Sequence, residues 1–311
     1  MTAIYYPDCT ASSPSGEFSL EARSPHNGTI RHRDGRKSSD DEFGFKYRQH
    51  QSEFRYRLLD HSPRTALGRL FRGNDPQVVW ERWQADREDS PGELVVSDDG
   101  WAVIRTHGFN PEVIAVAPDG RDVARVRVAW ADGEHPEPAP DRRPPVYYWP
   151  LEELSYSTAG NYWSGNSWPA FFRRAGDPYF VWRTYRGRRL VLDLSRGRAF
   201  TDKASLPAGL AAAVAEVERA GVVALLGGLS RQMAEVRALL GRRADDGQEV
   251  QDPLLDRVRL VTAALHLAGV HRLRECVPYL REWEAVDCPA SALGSTAMPG
   301  RWWMQNQLFR P

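Results

Sequence analysis

The sequence lacks an apolar run long enough to cross a membrane, and it lacks an excess of either charge. Apolar runs such as Val222–Leu226 are far shorter than the roughly 20 residues that a membrane-spanning helix needs. The chain has 41 basic and 41 acidic residues, so no long-range field attracts nucleic acid or an anionic lipid surface. We therefore expect neither nucleic acid nor a membrane among its partners.

Cysteine is also scarce, because the 311 residues include Cys9, Cys276 and Cys288 alone. Three cysteines are too few for a disulfide framework, and their odd number favours a reducing compartment. The N-terminus shows neither the basic region nor the apolar stretch of an export signal. These features predict a cytoplasmic protein whose cysteines are unpaired.

The motifs of familiar enzymes are missing as well. The sequence contains no glycine-rich dinucleotide or phosphate loop, no Gly-x-Ser-x-Gly nucleophile turn and no His-Glu-x-x-His zinc motif. We therefore predict no catalytic residue, no cofactor-binding residue and no cofactor. Catalysis itself remains an alternative, since hydrolases can assemble paired carboxylates from strands far apart in the sequence.

Three potential metal ligands lie close together at His266, His271 and Cys276. Residues five apart on a helix point in directions that differ by roughly 140°, so one helix cannot present all three to one ion. Helix-face histidines and a buried thiol are the simpler interpretation. We expect no structural metal.

What the sequence does contain, up to about Asp202, is a series of short β-rich runs separated by Gly, Asp and Pro, as in a β-meander. Nine runs predict strands, at 18–22, 54–58, 78–83, 93–96, 101–105, 113–116, 123–128, 179–183 and 189–193. Residues 43–54 fit either a hairpin or a helix, and we favour the hairpin. Tight-turn signatures with Gly at the last position recur at 13–16, 97–100 and 117–120.

These turns, Ser13-Pro-Ser-Gly16, Ser97-Asp-Asp-Gly100 and Ala117-Pro-Asp-Gly120, resemble the blade repeats of β-propellers of the WD-repeat or TolB-like type. The resemblance implies about three four-stranded units, near residues 15–85, 92–130 and 151–202. Three units are fewer than a closed propeller uses, so we predict propeller-like sheets. A twisted antiparallel sheet or sandwich is the alternative.

The apolar period changes to that of helices from Leu206 onward. Ser205 is a predicted N-cap, a second helix is predicted from Asp252-Pro253 to Gly269, and a third from His271 to Glu284. The third is expected to turn Leu273, Val277, Leu280 and Trp283 inward. These helices resemble the antiparallel hairpins of HEAT-like solenoids.

Together these patterns predict an α+β protein. An antiparallel, propeller-like β domain covers residues 1–202 and includes a proline-rich connection at 131–145. A helical domain or cap covers residues 206–284, and an irregular tail covers residues 285–311.

The most distinctive local feature is the density of aromatic residues between 147 and 172. The candidate binding residues are Tyr147, Tyr148, Trp149, Tyr162, Trp163 and Trp168. Tyr162 and Trp163 lie in Gly/Asn/Ser composition, which predicts an accessible turn, whereas Trp168 is expected to be buried. Exposed Trp and Tyr commonly anchor protein partners or stack against sugars.

Two functions from different classes fit these features. The first is a non-catalytic protein-interaction or scaffold module, which the missing motifs, the zero net charge and the repeat-like turns favour. The second is a carbohydrate-active hydrolase or carbohydrate-binding protein that uses the same aromatics with carboxylates from strand ends. A cleft with two carboxylates beside the aromatics would favour the carbohydrate function over the interaction module.

Overall fold

The computed structural model describes most of the chain between Cys9 and Glu284. The described residues are 9–23, 29–31, 37–39, 54–62, 76–84, 90–107, 112–129, 146–150, 154–157, 160–163, 168–183, 189–201, 206–246, 254, 257–258 and 260–284. All but the last residue of the predicted hairpin at 43–54 and the whole proline-rich connection at 131–145 lie outside them, as does the predicted tail at 285–311.

The fold is α+β, as predicted: three sheets built on four-stranded antiparallel meanders precede the helices. All nine predicted strands are confirmed. The strands are β1 Cys9–Ser12, β2 Phe18–Arg23, β3 Thr29–Arg31, β4 Lys37–Ser39, β5 Arg55–Asp60, β6 Gln77–Trp83, β7 Ser90–Val96, β8 Ala102–His107, β9 Glu112–Val116, β10 Asp122–Ala129, β11 Val146–Pro150, β12 Leu154–Ser157, β13 Gly160–Trp163, β14 Trp168–Arg174, β15 Asp177–Arg183, β16 Arg189–Asp193 and β17 Arg198–Phe200.

The strands follow one another in space almost in chain order. The first sheet has the order β1-β2-β5-β6, the second β7-β8-β9-β10 and the third β14-β15-β16-β17. The second sheet gains a fifth strand, β11, which runs parallel to β10. Two smaller hairpins, β3-β4 and β12-β13, complete the described strands. The connections within each four-stranded meander are those of a propeller-like sheet.

The chain divides into two compact units. The first, here called the β unit, comprises Met1–Trp163 and Leu192–Ala199; the second, here called the helical unit, comprises Ser164–Val191 and Phe200–Pro311. Much of the third sheet therefore belongs with the helices, whereas the change of apolar period in the sequence falls after residue 202. Each unit has a hydrophobic core of its own.

The core of the β unit forms where the first and second sheets pack against each other. Alternate residues of β2, β5, β6, β7, β8 and β9 point into it, which is the burial pattern of two stacked sheets. Its buried members are Leu20, Ala22, Phe54, Tyr56, Leu58, Trp80, Leu94, Val96, Ala102, Ile104, Ile114 and Val116.

The three predicted turn signatures form the tight turns of the β unit. In each turn the amide of the last glycine donates to the carbonyl oxygen three residues earlier, over 2.9 Å for Gly16, 3.1 Å for Gly100 and 2.9 Å for Gly120. All three glycines have positive φ, which residues with a Cβ adopt at a cost. The glycine that ends each turn signature is therefore explained by the positive φ that the backbone adopts there.

Gly120 provides a test of this turn chemistry, because its surroundings are crowded and those of Gly16 are open. A Cβ on Gly120 would lie 3.0 Å from Cβ and Cγ of Trp80, whereas a Cβ on Gly16 meets nothing within 4 Å. We expect Gly16→Ala to cost about 1 kcal/mol for the positive φ alone, and Gly120→Ala to cost about 2–4 kcal/mol. Urea unfolding of both variants measures the difference. Equal losses would show that Trp80 does not restrict Gly120.

Four helices are described in the helical unit. They are α1 Ala208–Arg231, α2 Met233–Asp246, α3 Val261–Val270 and α4 Val277–Glu284, with a 3-10 turn at Arg274–Cys276. The first half of α1 buries Leu210 and Val214 against Tyr179, Val181 and Val191 of the sheet. Its second half joins α2, α3 and α4 in a helix–helix core. No described helix is long and apolar enough to cross a membrane.

Several predicted helix details are corrected. Helix α1 begins at Ala208 with Pro207 at its N-cap position, so Ser205 is not the cap. Residue Gly269 lies inside α3, which ends at Val270. The last helix begins at Val277 rather than His271, because Arg272 has a φ of 52° and interrupts the helical backbone. Val277 is therefore exposed at the first turn, while Trp283 is buried as predicted.

Candidate functional site

The aromatic residues singled out in the sequence lie on three different strands. Tyr147, Tyr148 and Trp149 are on β11, where they pair with Val126, Arg127 and Val128 of β10 in parallel. The segment that follows the proline-rich connection thus completes the outer edge of the second sheet. Only its backbone belongs to the described part of the chain.

Tyr162 and Trp163 lie on β13, and this corrects the expected turn. Tyr162 pairs with Ser155 of β12 and Trp163 pairs with Leu154, so the two residues belong to a hairpin strand. The Ser-Gly-Asn-Ser sequence that suggested a turn comes directly after them, at residues 164–167, outside the described residues. Their side chains are likewise not described.

Trp168 is a core residue of the helical unit, as predicted. Its side chain is 6% exposed and packs among the buried residues of α1, α2 and α3. Gly221 on α1 makes room for the indole, since a Cβ there would lie 2.5 Å from Cζ2 of Trp168. The aromatic region is therefore divided between two β-unit strands and one buried position in the helical unit.

The three potential metal ligands have separate environments. His271 contacts the buried carboxylate of Glu218, and Cys276 is fully buried in the helix–helix core. Burial raises the pKa of the Cys276 thiol, and nearby Glu275 raises it further. Burial lowers the pKa of His266, as does the positive charge of Arg183. Among the described residues, no group of three possible ligands converges.

A buried ion cluster that the sequence analysis missed lies in the helical unit. Glu218 of α1 is completely buried and accepts hydrogen bonds on Oε2 from His271 Nε2, at 2.7 Å, and from Arg183 Nη2, at 3.2 Å. Arg189 Nε lies 3.8 Å from Oε1 of the same carboxylate. The cluster joins strands β15 and β16, helix α1 and the turn after α3.

The described members of this cluster are two guanidinium groups, one imidazole and one carboxylate. Two buried guanidinium groups face one carboxylate, and burial lowers the pKa of Arg189, with a further lowering by Arg183 and an opposing effect of Glu218. Removing one partner of such a buried set leaves an uncompensated charge, which is strongly destabilising. The arrangement therefore clamps a sheet, a helix and a turn together around one carboxylate.

A second feature, on the surface of the β unit, is an exposed apolar strand. Strand β6 ends the first sheet, with β5 as its one neighbour among the described strands. Val78 and Val79 are each 42% exposed and Trp83 is 50% exposed, whereas Trp80 between them is buried. Large apolar side chains grouped on an edge strand commonly mark an interaction site.

The register explains why so many side chains of β6 are exposed. Leu58 pairs with Trp80 and Leu59 pairs with Val78, which leaves Val79 as an extra residue in a bulge. Beyond the bulge, Trp80 points into the core while Glu81 and Trp83 point to the opposite face of the sheet, here called the outward face. The consecutive apolar residues Val78, Val79 and Trp80 therefore include both exposed and buried positions.

Charged side chains neighbour Trp83 on the outward face. The Arg55 guanidinium lies over the Trp83 ring, 6.0 Å from its centre, and its Nη1 is 3.7 Å from Oε1 of Glu81. On the next strands, Glu21 accepts hydrogen bonds from both Arg23 and Arg57, at 2.8 Å and 2.7 Å. Glu21 is thus well paired, whereas Glu81 has one long ion pair within the described part of the chain.

No protein family, curated protein or solved structure matches this chain.

Proposed function

We propose that this chain is a non-catalytic protein-interaction module and that strand β6 of the β unit is a binding surface for a partner protein. The observation that carries the proposal is the exposure of Val78, Val79 and Trp83 on the edge strand of the first sheet. Burying these three side chains in an interface would remove apolar surface from water, and Trp is prominent among binding hot spots.

A comparison between the two sheets of the β unit supports the proposal. The fourth strand of the second sheet, β10, pairs with the aromatic strand β11 of the same chain. The fourth strand of the first sheet, β6, has no such strand among the described residues. A partner segment on β6 would complete the first sheet in the way that β11 completes the second.

The aromatic residues of β11 and β13 remain a second proposed contact region. Tyr147, Tyr148, Trp149, Tyr162 and Trp163 belong to the β unit, as does β6. We expect Trp163 to contribute to partner binding without contributing much to folding. The buried position of Trp168 favours a role in stability instead.

Site-specific photocrosslinking tests the proposal in cells that express the full chain. A benzoylphenylalanine at Trp83 is expected to give a discrete adduct with another protein, and one at Trp163 a weaker adduct. The matched control is the same group at Val277, which is 41% exposed on the helical unit. Adducts of equal yield at Trp83 and Val277, or no adduct at Trp83, would contradict the proposal.

A further inference from the structure

We infer that β6 binds its partner by strand addition, and that the partner segment is an extended peptide with Lys or Arg opposite Glu81 and apolar residues on either side. This inference rests on the proposed function, because it specifies what occupies the proposed binding surface. Three features of β6 support it: its edge position, its exposed side chains and the charges around them.

Backbone pairing is the first element of the inference. An edge strand presents N–H and C=O groups on the side away from its neighbour, and extended peptides bind such edges by main-chain hydrogen bonds. The described strand neighbour of β6 is β5, on one side. The pairing of β11 with β10 in the same unit shows that the last strand of a meander in this fold accepts one more strand.

Charge complementarity is the second element, and the negative charge of Glu81 determines which charge is favoured on the partner residue opposite it. Glu81 is the exposed carboxylate of β6, with a side chain that is 39% exposed and a single described ion pair at 3.7 Å. Side chains directly opposite each other on paired strands interact favourably when their charges are opposite and unfavourably when they are alike. A basic residue opposite Glu81 therefore favours binding, and an acidic residue there opposes it.

The arginines of the neighbouring strand have less influence on an added strand. An added strand would lie on the side of β6 opposite to β5, so Arg55 and Arg57 are farther from it than Glu81 is. Arg57 already donates to Glu21 at 2.7 Å, and the Arg55 guanidinium lies over the Trp83 ring and 3.7 Å from Glu81. The nearest charge, Glu81, therefore dominates.

Apolar contacts are the third element. A residue two positions along the added strand from the basic one would lie beside Trp83 on the outward face, and the residue on the other side would lie near Val79. Both β6 side chains are about half exposed and would become buried by such neighbours. The partner segment thus has the alternating pattern apolar, polar, basic, polar, apolar.

The test uses fluorescence anisotropy of a labelled, end-blocked peptide, Thr-Val-Thr-Arg-Thr-Tyr-Thr, with the full-length protein. We expect saturable binding, at least about threefold weaker binding when Arg is replaced by Glu in the peptide, and loss of binding when alternate peptide amides are N-methylated. N-methylation removes hydrogen-bond donors and leaves the side chains unchanged. It therefore separates strand addition from simple hydrophobic contact.

Charge reversal in the protein completes the test. Glu81→Lys is expected to reverse the preference, so that the Glu peptide binds more tightly than the Arg peptide. The control Glu216→Lys, at an exposed position of α1, is expected to leave the preference unchanged.

The inference is overturned if no peptide of the set binds at millimolar concentration, if the N-methylated peptide binds as well as its parent, or if Glu81→Lys leaves the preference unaltered. The proposed function is judged separately by the photocrosslinked adduct at Trp83. A protein adduct there together with a failed peptide test would keep the interaction module and reject strand addition.

Discussion

Replacing Glu218 by Ala is expected to destabilise the helical unit by about 3–5 kcal/mol. The change leaves Arg183 and Arg189 buried without their shared carboxylate, and it removes the hydrogen bond from His271. Such a loss is a large part of the free energy of unfolding of an ordinary domain. Urea unfolding followed by circular dichroism at 222 nm, which is dominated by helices, measures it.

The matched control is Glu216→Ala, which removes the same side chain from an exposed position on the same helix. We expect it to change stability by no more than about 0.5 kcal/mol. A second variant, Glu218→Gln, keeps the shape but not the charge, so it should still be clearly destabilising. A cost below about 1 kcal/mol for Glu218→Ala would show that the ion cluster does not hold these elements together.

Replacing Trp168 by Ala is expected to cost about 3–5 kcal/mol, because the indole is 6% exposed and fills the core between the sheet and the helices. Gly221→Ala alone is also expected to destabilise, since its Cβ would lie 2.5 Å from Trp168 Cζ2. Alanine gains about 1 kcal/mol over glycine inside a helix, but the rigid ring cannot move without repacking the core.

The two changes together give the sharper test. Without the indole the contact disappears, so Gly221→Ala is expected to stabilise the Trp168→Ala background by about 1 kcal/mol. The expected result is thus a change of sign between the two backgrounds. Gly269→Ala, in α3, serves as control because nothing lies within 4 Å of its Cβ. If Gly221→Ala has the same effect with and without Trp168, the close approach is not what constrains this helix.

A Trp168→Ala variant of unchanged stability would instead indicate a role of Trp168 in partner binding. If Trp168→Ala left stability unchanged but weakened partner binding, Trp168 would be a binding residue, as its place in the aromatic region first suggested. Its burial in the helical unit favours the structural result. Trp163→Ala provides the comparison within the same aromatic region.

Strands and turns of this protein follow from local sequence. The β-rich runs and the turns that end at Gly16, Gly100 and Gly120 are short-range features, because alternation and positive φ act within a few residues. The meander order is also local in origin, since sequential strands joined by tight turns pair with each other. These features were accordingly predicted, as was the change to helices after Leu206.

The helix pattern shows where local reasoning fails. Leu210, Val214, Val217 and Val222 recur at helical spacing along α1, but the buried position between Val214 and Val222 is Glu218. A glutamate on a helix ordinarily faces water, so periodicity favours Val217 for the core. The burial of Glu218 depends on Arg183, Arg189 and His271, which come from other elements distant in the sequence.

The candidate interaction surface depended on tertiary structure for the same reason. The run Val78-Val-Trp-Glu-Arg-Trp83 predicted a strand correctly, but the sequence does not state which strand ends a sheet or where a bulge shifts the register. Position at the edge and the extra residue Val79 together expose Val78, Val79 and Trp83. By itself the sequence determined the elements and their order, because these depend on neighbouring residues; the tertiary structure decided which side chains are buried, paired or exposed, because burial depends on contacts between distant segments.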